Sequence, residues 1–537
     1  MSKLDLRYNS IIQDKQLNKS FRKISNNNRK YYFNLIDEFN YLNSTNLLWL
    51  SSITSSRNIF SSKIFYYISL RIFIKENIKT ISGYKKILLD NKIIMNLLID
   101  MSINQNKLIL YKTNYLIYLL KKLKYVSMNI FSIIFFKIFM NSKKINNNSI
   151  FIQLPISKKY TINNSIGNFK KYIDKDDLKK VIFIPFLINK NFKEYINIIK
   201  VNKIENILFK QNFLSLKDHF KILCSILNFS VLQIPKSFSF IDKQLIFDEY
   251  TENIISPSSF DCLEYNTFIE KLSKNSNNDY KFVSIFENSS LNKIWNFSIH
   301  KNFQKTINNA IKVMIPIKNY FSQYYVLKSE MKLHLLPNKI FISSKMLKDQ
   351  LIKDNMHIKN LYHNGPSIRS HNNLVKNKIK AVVFFTSILN FETSLILKYL
   401  NKVDFNNDYK YFIKFHPSIE KNMQNKYMKY APSKFSVNNT LNISQLNSES
   451  IIISGMSSII IDSINANIKN IYVDTGFYLS LNPVLDKLKK INNNHYSSTL
   501  EDLGLKIKNL KKKKIISSNT FTIYNQTNKN TVKRVLN

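Results

Sequence analysis

Short apolar runs bounded by charge recur along this chain, with longer stretches of helical spacing between them. "KKVIFIPFLI" (179–188), "FVSIFEN" (282–288), "KVMIPI" (312–317) and "NKIFISS" (338–344) each have the length of a buried strand. Between the first two lies "KEYINIIKVNKIENILFKQNFLSLKDHFKILCSILN", whose apolar residues return at helical intervals. A second series starts near Lys376. "KAVVFFTSI" (380–388), "KYFIKFH" (410–416), "ESIIIS" (449–454) and "KNIYVD" (469–474) read as strands. "NFETSLILKYLNKV", "PSIEKNMQNKYMKYA" and "IIIDSINAN" read as helices, the second opened by Pro417. Strands alternating with helices predict α/β architecture with parallel sheets. The pattern divides the chain into a first α/β domain, 1–375, a second, 376–512, and a basic, peripheral or frayed tail, 513–537.

One segment breaks the alternation. Residues 108–140 read as a helical insertion, "LILYKTNYLIYLLKKLKYVSMNIFSIIFFKIFM", interrupted by lysines at 112, 121, 122, 124 and 137. Its longest uncharged run, Tyr125–Phe136, falls short of the roughly 20 residues a spanning helix needs. A pair of core helices and an interfacial helix with lysines reaching lipid headgroups both fit this pattern.

Composition removes other possibilities. Hydrophobic residues make up 44% of the 537, enough for packed cores, so a disordered chain is excluded. The net charge of +45 first suggests nucleic acid. Yet Arg7, Arg22, Arg29, Arg57, Arg71, Arg369 and Arg534 are the only arginines, and base readout favours the planar guanidinium. Lysine here travels with Ile, Asn, Phe and Tyr, all residues of A/T-rich codons. No specific nucleic-acid partner is expected, while an anionic membrane surface remains a possible one. Cys224 and Cys262 form no C-x-x-C pair, and two thiols suit a reducing cytoplasm. The opening "MSKLDLRYNSIIQDK" has no apolar core of a signal peptide. The expected location is cytoplasmic, with peripheral attachment at the inner face of the membrane. "DKDD" (174–177) has a D-x-D spacing but precedes its strand, so it reads as solvated helix-end charge. No His/Asp/Glu group has metal-ligand spacing, and neither metal nor cofactor is expected.

Two short motifs carry candidate chemistry. His416 ends a strand, at the edge where open parallel sheets bind ligands, and Pro417 follows it. An imidazole there can donate a hydrogen bond to a phosphate or protonate a leaving group. In "SGMSS", Gly455 permits a tight turn, and Ser457 and Ser458 open a helix whose free N–H groups attract an anion. Serine as a plain helix cap is the common alternative. Histidine satisfied by loop carbonyls is the other.

Strand–"KFHP" followed by strand–"SGMSS"–helix resembles the nucleotide-binding half of GT-B glycosyltransferases. Bacterial polysialyltransferases, other sialyltransferases and the teichoic-acid glycerophosphate polymerases share an HP motif and a later serine pair. The whole chain is similar to a family of bacterial surface-carbohydrate biosynthesis proteins of the capsule and O-antigen type. That likeness rests on "LLWLSSITSSRNIFSS", "FENSSLNKIW" (286–295), "LLPNKIFISS" (335–344) and "HNGPSIRSHNNL" (363–374). The resemblance implies a GT-B fold, two Rossmann-like parallel-sheet domains facing a cleft. It implies a metal-independent transferase that uses a nucleotide-sugar donor, a CMP-sugar first, and a glycan or lipid-linked acceptor. Lys414, His416, Pro417, Gly455, Ser457 and Ser458 would serve the donor. Glu287, at a strand end of the first domain, would be the base, with Asn288, Trp295 and Arg369 on the acceptor side or cleft. The chain departs from the pattern at "VMIPIKNYF" (313–321), where related proteins carry a Gly- and His-containing strand end. Two further readings follow: a CDP-glycerol-type glycerophosphotransferase, and a degenerate relative that only binds nucleotide or membrane.

Overall fold

A computed structural model of the chain describes residues 3–111, 115–139, 145, 148–156, 169–187, 196, 206–228, 231–274, 280–303, 306–313, 317–367, 378–405, 408–484, 494–513, 523–525 and 527–537. Three parallel sheets organise them. The smallest joins β1 (Lys3–Asp5), β2 (Lys86–Leu89) and β3 (Leu108–Leu110) in that order. The second is six-stranded: β4 (Ile150–Ile156), β5 (Val181–Leu187), β6 (Lys281–Ile285), β7 (Ile307–Lys312), β8 (Lys339–Ile342) and β9 (Tyr362–Asn364), ordered β5-β4-β6-β7-β8-β9. The third is also six-stranded: β10 (Ala381–Phe385), β11 (Lys410–Lys414), β12 (Ser436–Val437), β13 (Ile451–Ser454), β14 (Lys469–Asp474) and β15 (His495–Thr499), ordered β12-β11-β10-β13-β14-β15. Central strands such as "AVVFF" and "IIIS" are buried along their whole length, as strands covered by helices on both faces must be. The two large sheets are Rossmann-like units, so the fold is α/β with parallel sheets, as the pattern predicts and in keeping with the GT-B arrangement that the resemblance implies.

Several elements differ from the expectation. The strand placed at 312–317 is β7, "INNAIK", five residues earlier. Asn308 and Asn309 hid it, because they are fully buried yet bonded: Asn308 Nδ2 donates to Asn296 Oδ1 (3.0 Å) and Asn309 Nδ2 to the Val535 carbonyl (2.8 Å). Pro417 does not open a helix. It lies in a turn closed by Ile419 N–H to the His416 carbonyl (2.9 Å), and the helix runs Lys421–Met428. The tail is not simply frayed. Helix Lys529–Leu536 starts with an Asn528/Thr531 capping box and buries Val532, Val535 and Leu536 beside Val283, Ile311 and Phe341 of the second sheet. Tyr524 donates to Asp462 Oδ1 (2.6 Å) and Asn525 N–H to the Ser343 carbonyl (2.7 Å), so the same tail ties the two large sheets together. Residues 115–139 form one helix rather than a pair, and no helix among the described residues is long and apolar enough to cross a membrane.

A buried charge cluster locks the first domain. Arg57 caps the short helix Ile53–Ser56 in the left-handed region (φ 58°) and is fully buried. Its Nη2 meets Glu330 Oε1 at 2.6 Å, and Lys293 Nζ meets the same oxygen at 2.8 Å. Glu330 Oε2 accepts from Leu327 N–H (2.9 Å) and Asn288 Nδ2 (3.2 Å). Burial alone would raise the Glu330 carboxyl, but Arg57 and Lys293 hold it down to about 2. Burial pushes Lys293 down to about 8, against the pull of Glu330. Segments 47–62 and 286–295, far apart in sequence, meet on this one carboxylate. Removing one partner of such a cluster strands the others in a dry interior, at a cost of about 3–5 kcal/mol. Glu330→Ala is expected to lower stability by that order in chemical denaturation, and a loss below about 1 kcal/mol would show that the cluster is not a clamp.

Candidate functional site

Counting the strands of the third sheet from β10, their spatial order is 3-2-1-4-5-6. This is the doubly wound order, and it reverses between β10 and β13. In open parallel sheets such a reversal marks the ligand crevice, beyond the carboxyl ends and between the loops that leave the two central strands. Three loops border it: Thr386–Leu389 after β10, Phe415–Glu420 after β11 and Gly455–Ser458 after β13.

The first two loops are bonded to each other. Thr386 N–H donates to the Lys414 carbonyl (3.0 Å), and His416 N–H donates to Thr386 Oγ1 (2.8 Å). The imidazole is half-buried. Ser418 N–H donates to His416 Nδ1 (3.2 Å), and Ser418 Oγ lies 2.7 Å from the same nitrogen. A backbone amide can only donate, so Nδ1 is the acceptor and the ring proton of the neutral form sits on Nε2. The loop therefore fixes one tautomer, with Nε2–H as its donor. Pro417 is exposed in the turn. Lys414 is half-buried, and its Nζ donates to the Leu441 carbonyl (2.5 Å); burial lowers its pKa.

The third loop rests on a carboxyl that the sequence reading missed. Ser454 Oγ donates to the Phe385 carbonyl (2.9 Å), fastening β13 to β10. Gly455 then passes directly over Glu392, in the first turn of helix Asn390–Leu400. A Cβ at Gly455 would lie 2.5 Å from Glu392 Oε2 and 2.8 Å from Cδ, so any other residue there would displace the Glu392 carboxyl. Met456 N–H donates to Glu392 Oε2 (2.9 Å). Burial pushes the Glu392 carboxyl up to about 7; Met456 N–H and Ser387 oppose the rise, and Asp474 adds to it. Ser457 and Ser458 are half-buried at the start of helix Ile459–Asn465, and Ser457 Oγ accepts from Ile459 N–H (3.4 Å). In the sequence Glu392 looks like ordinary first-turn charge. Its role depends on the β10–β13 adjacency, which no local pattern announces.

The other expected site residues lie on the second sheet. Glu287 follows β6 at its carboxyl end, where burial raises its pKa and the charge of Lys312 opposes the rise. Lys312 ends β7, is buried, and donates from Nζ to the Gln323 carbonyl (2.6 Å); burial lowers it to about 8. Asn288 is fully buried at φ 51° and serves the Glu330 cluster. Trp295 corrects the expectation of a cleft residue. It is fully buried, edge-on to Tyr265 and Phe282 at 5.5 and 5.7 Å, and so belongs to the core. Arg369 lies outside the described residues. Asp176 of the D-x-D stretch is exposed and pairs with Lys179 (3.1 Å), and among the described residues no group of three or more His, Cys, Asp or Glu could hold a metal ion.

No protein-family model and no curated protein matches the chain. Among solved structures it is similar to S. aureus MnaA with UDP, at 8% identity and TM-score 0.44, covering 73% of this chain and 95% of that one. It is similar to UDP-GlcNAc 2-epimerase from Neisseria meningitidis bound to UDP-GlcNAc, at 10% identity and TM-score 0.39, covering 72% and 98%. For Acinetobacter baumannii MurG the values are 8% and 0.38, covering 72% and 98%. Likeness this low carries no functional argument.

Glu392 makes stability depend on pH in a defined direction. With its folded pKa raised from 4.5 to about 7, the folded chain retains a proton that the unfolded chain releases. Stability from this group is therefore lost as pH rises from about 4.5 through about 7 and is level above that. The shift corresponds to about 3 kcal/mol. Glu392→Gln is expected to gain on the wild type by that order between pH 5 and 7.5 in denaturant titrations. Parallel pH profiles for the two proteins would contradict the assignment.

Proposed function

We propose that the protein is a metal-independent GT-B glycosyltransferase. It moves a sugar from a nucleotide-activated donor, a CMP-sugar first among candidates, to a cell-surface glycan or lipid-linked saccharide at the cytoplasmic side of the membrane. The observation that carries this reading is the pairing of His416 with Thr386 beside the Gly455–Ser458 turn, at the reversal point of a doubly wound sheet. There the His416 Nε2–H can donate to a donor phosphate. The Ser457 and Ser458 hydroxyls, half-buried at the start of helix Ile459–Asn465, can donate to its remaining oxygens. Glu392 beneath the turn holds the loop close to a bound anion and, when protonated, adds no opposing charge.

Glu287 is the base in this reading. Burial raises its pKa, with the charge of Lys312 opposing the rise, and a raised carboxyl pKa suits proton acceptance from a hydroxyl. Space for a saccharide exists above the carboxyl ends of β1–β3. A cavity of about 850 Å³ there is bordered by Arg7, Tyr8, Tyr111 and Phe391, the last being the neighbour of Glu392. Aromatic faces beside charged groups are suited to sugar rings. A CDP-glycerol donor would use the same phosphate contacts, and analysis of the product separates the two. One observation favours a binding-only relative: β7 ends on Lys312, near where related chains carry a histidine.

His416→Ala is the decisive variant. The fold uses the backbone of His416 on Thr386, which alanine keeps, so the melting temperature should hold. A hydrogen bond to a charged group is worth roughly 1.5–3 kcal/mol, so the affinity for CMP, or for whichever of CDP, UDP and GDP binds, should fall about 10- to 150-fold. Lower melting temperature with unchanged affinity would reduce His416 to a packing residue.

A further inference from the structure

We infer that helix Tyr115–Phe139 is an in-plane docking surface for a bilayer containing anionic lipid. Its inner face is anchored. Ile133 and Phe136 are buried, and Phe136 stacks on Phe209 at 4.3 Å. Lys122 Nζ donates to the Glu252 and Ile255 carbonyls, the latter at 2.8 Å, and Lys137 Nζ donates to the Leu214 carbonyl (2.7 Å). The outer face is apolar and uncovered. Leu116, Leu120, Leu123, Ile130, Ile134 and Ile138 are 46–68% exposed. Their spacing sets them on one side of the helix over about 33 Å, at 1.5 Å per residue. Scattered surface leucines need no explanation, but an apolar stripe of this length, interrupted at exposed Ser127, does.

The neighbouring helix, Leu216–Leu227, extends the surface. It begins two residues beyond the carbonyl that Lys137 holds, and exposes Leu216 (65%) and Phe220 (66%). Charge decides the occupant. Lys121 and Lys124 are exposed beside the stripe, and the helix contains no Asp or Glu. A second copy of the chain laid along this face would bring lysines together without a countercharge on either helix. A bilayer with anionic headgroups supplies both the apolar layer and the negative charge, and lysine stems reach from one to the other. With both its lysine anchors on the protein body, the helix lies on the membrane and does not cross it. The surface is independent of the donor site, so either reading can fail without the other.

The test is co-sedimentation of the full chain with phosphatidylcholine vesicles, with and without about three parts in ten phosphatidylglycerol. The wild type is expected to bind the anionic vesicles, less so the neutral ones, and less so in high salt. Leu120→Glu with Leu123→Glu and Ile134→Glu changes only exposed positions. That variant should keep its melting temperature and lose at least about tenfold in vesicle affinity. Lys121→Ala with Lys124→Ala should weaken binding to the anionic vesicles alone. Absence of wild-type binding, or equal binding by the triple variant, overturns the proposal. So does a wild-type dimer in light scattering that the triple variant converts to a monomer without any vesicle binding, which would make this face a self-interface.

Discussion

Parallel pairing sends the carboxyl ends of all strands in a sheet to one edge, and the site depends on where the strand order turns back along that edge. In the third sheet the turn falls at β10, with β11 on one side and β13 on the other. Loops 30 to 69 residues apart in sequence thus become neighbours. Thr386 receives the amide of His416, and Ser454 is fastened to Phe385. A histidine at a strand end is ordinary by itself. Next to the loop of the first strand, one strand away from a glycine turn, it stands at the position where doubly wound sheets bind anionic ligands.

Two buried carboxyls show how neighbours decide the state of a charge. Glu330 and Glu392 are both almost inaccessible. Glu330 faces Arg57 and Lys293 and is held near 2, an anion that joins three segments of the first domain. Among the described residues Glu392 has no such cation in hydrogen-bonding contact, only amide and hydroxyl donors, and burial takes it to about 7. The first is a structural clamp. The second sits under a turn that is proposed to hold phosphate, where a neutral carboxyl is the compatible form.

The strands nearest the site could be read from the chain because their interiors are apolar and their ends charged, as in "KAVVFF", "KYFIK" and "KNIYVD". Elements built on other physics could not. β7 buries two asparagines whose partners, Asn296 and Val535, are distant in sequence. The strands β1, β2 and β3 are three or four residues long, too short for their apolar residues to show a strand pattern of their own. Helix Lys529–Leu536 hides behind a lysine-rich stretch, and its three buried aliphatics become a pattern only once the second sheet is there to cover. The HP and SS motifs were legible, since each sits where a strand stops. Glu392, Lys312 and Glu330 were not, because each depends on a tertiary neighbour. Trp295 was misplaced for the converse reason: a large aromatic beside an expected base suggests a cleft, but here it fills the core.

The claim that the β10–β13 crevice holds a nucleotide's phosphate is tested most directly by a crystal structure of the chain with CMP, or with whichever of CDP, UDP and GDP raises its melting temperature. The account predicts phosphate density within hydrogen-bond distance of His416 Nε2 and of the Gly455–Ser458 turn. Nucleotide bound elsewhere, with the His416 loop and the glycine turn unoccupied, would contradict it.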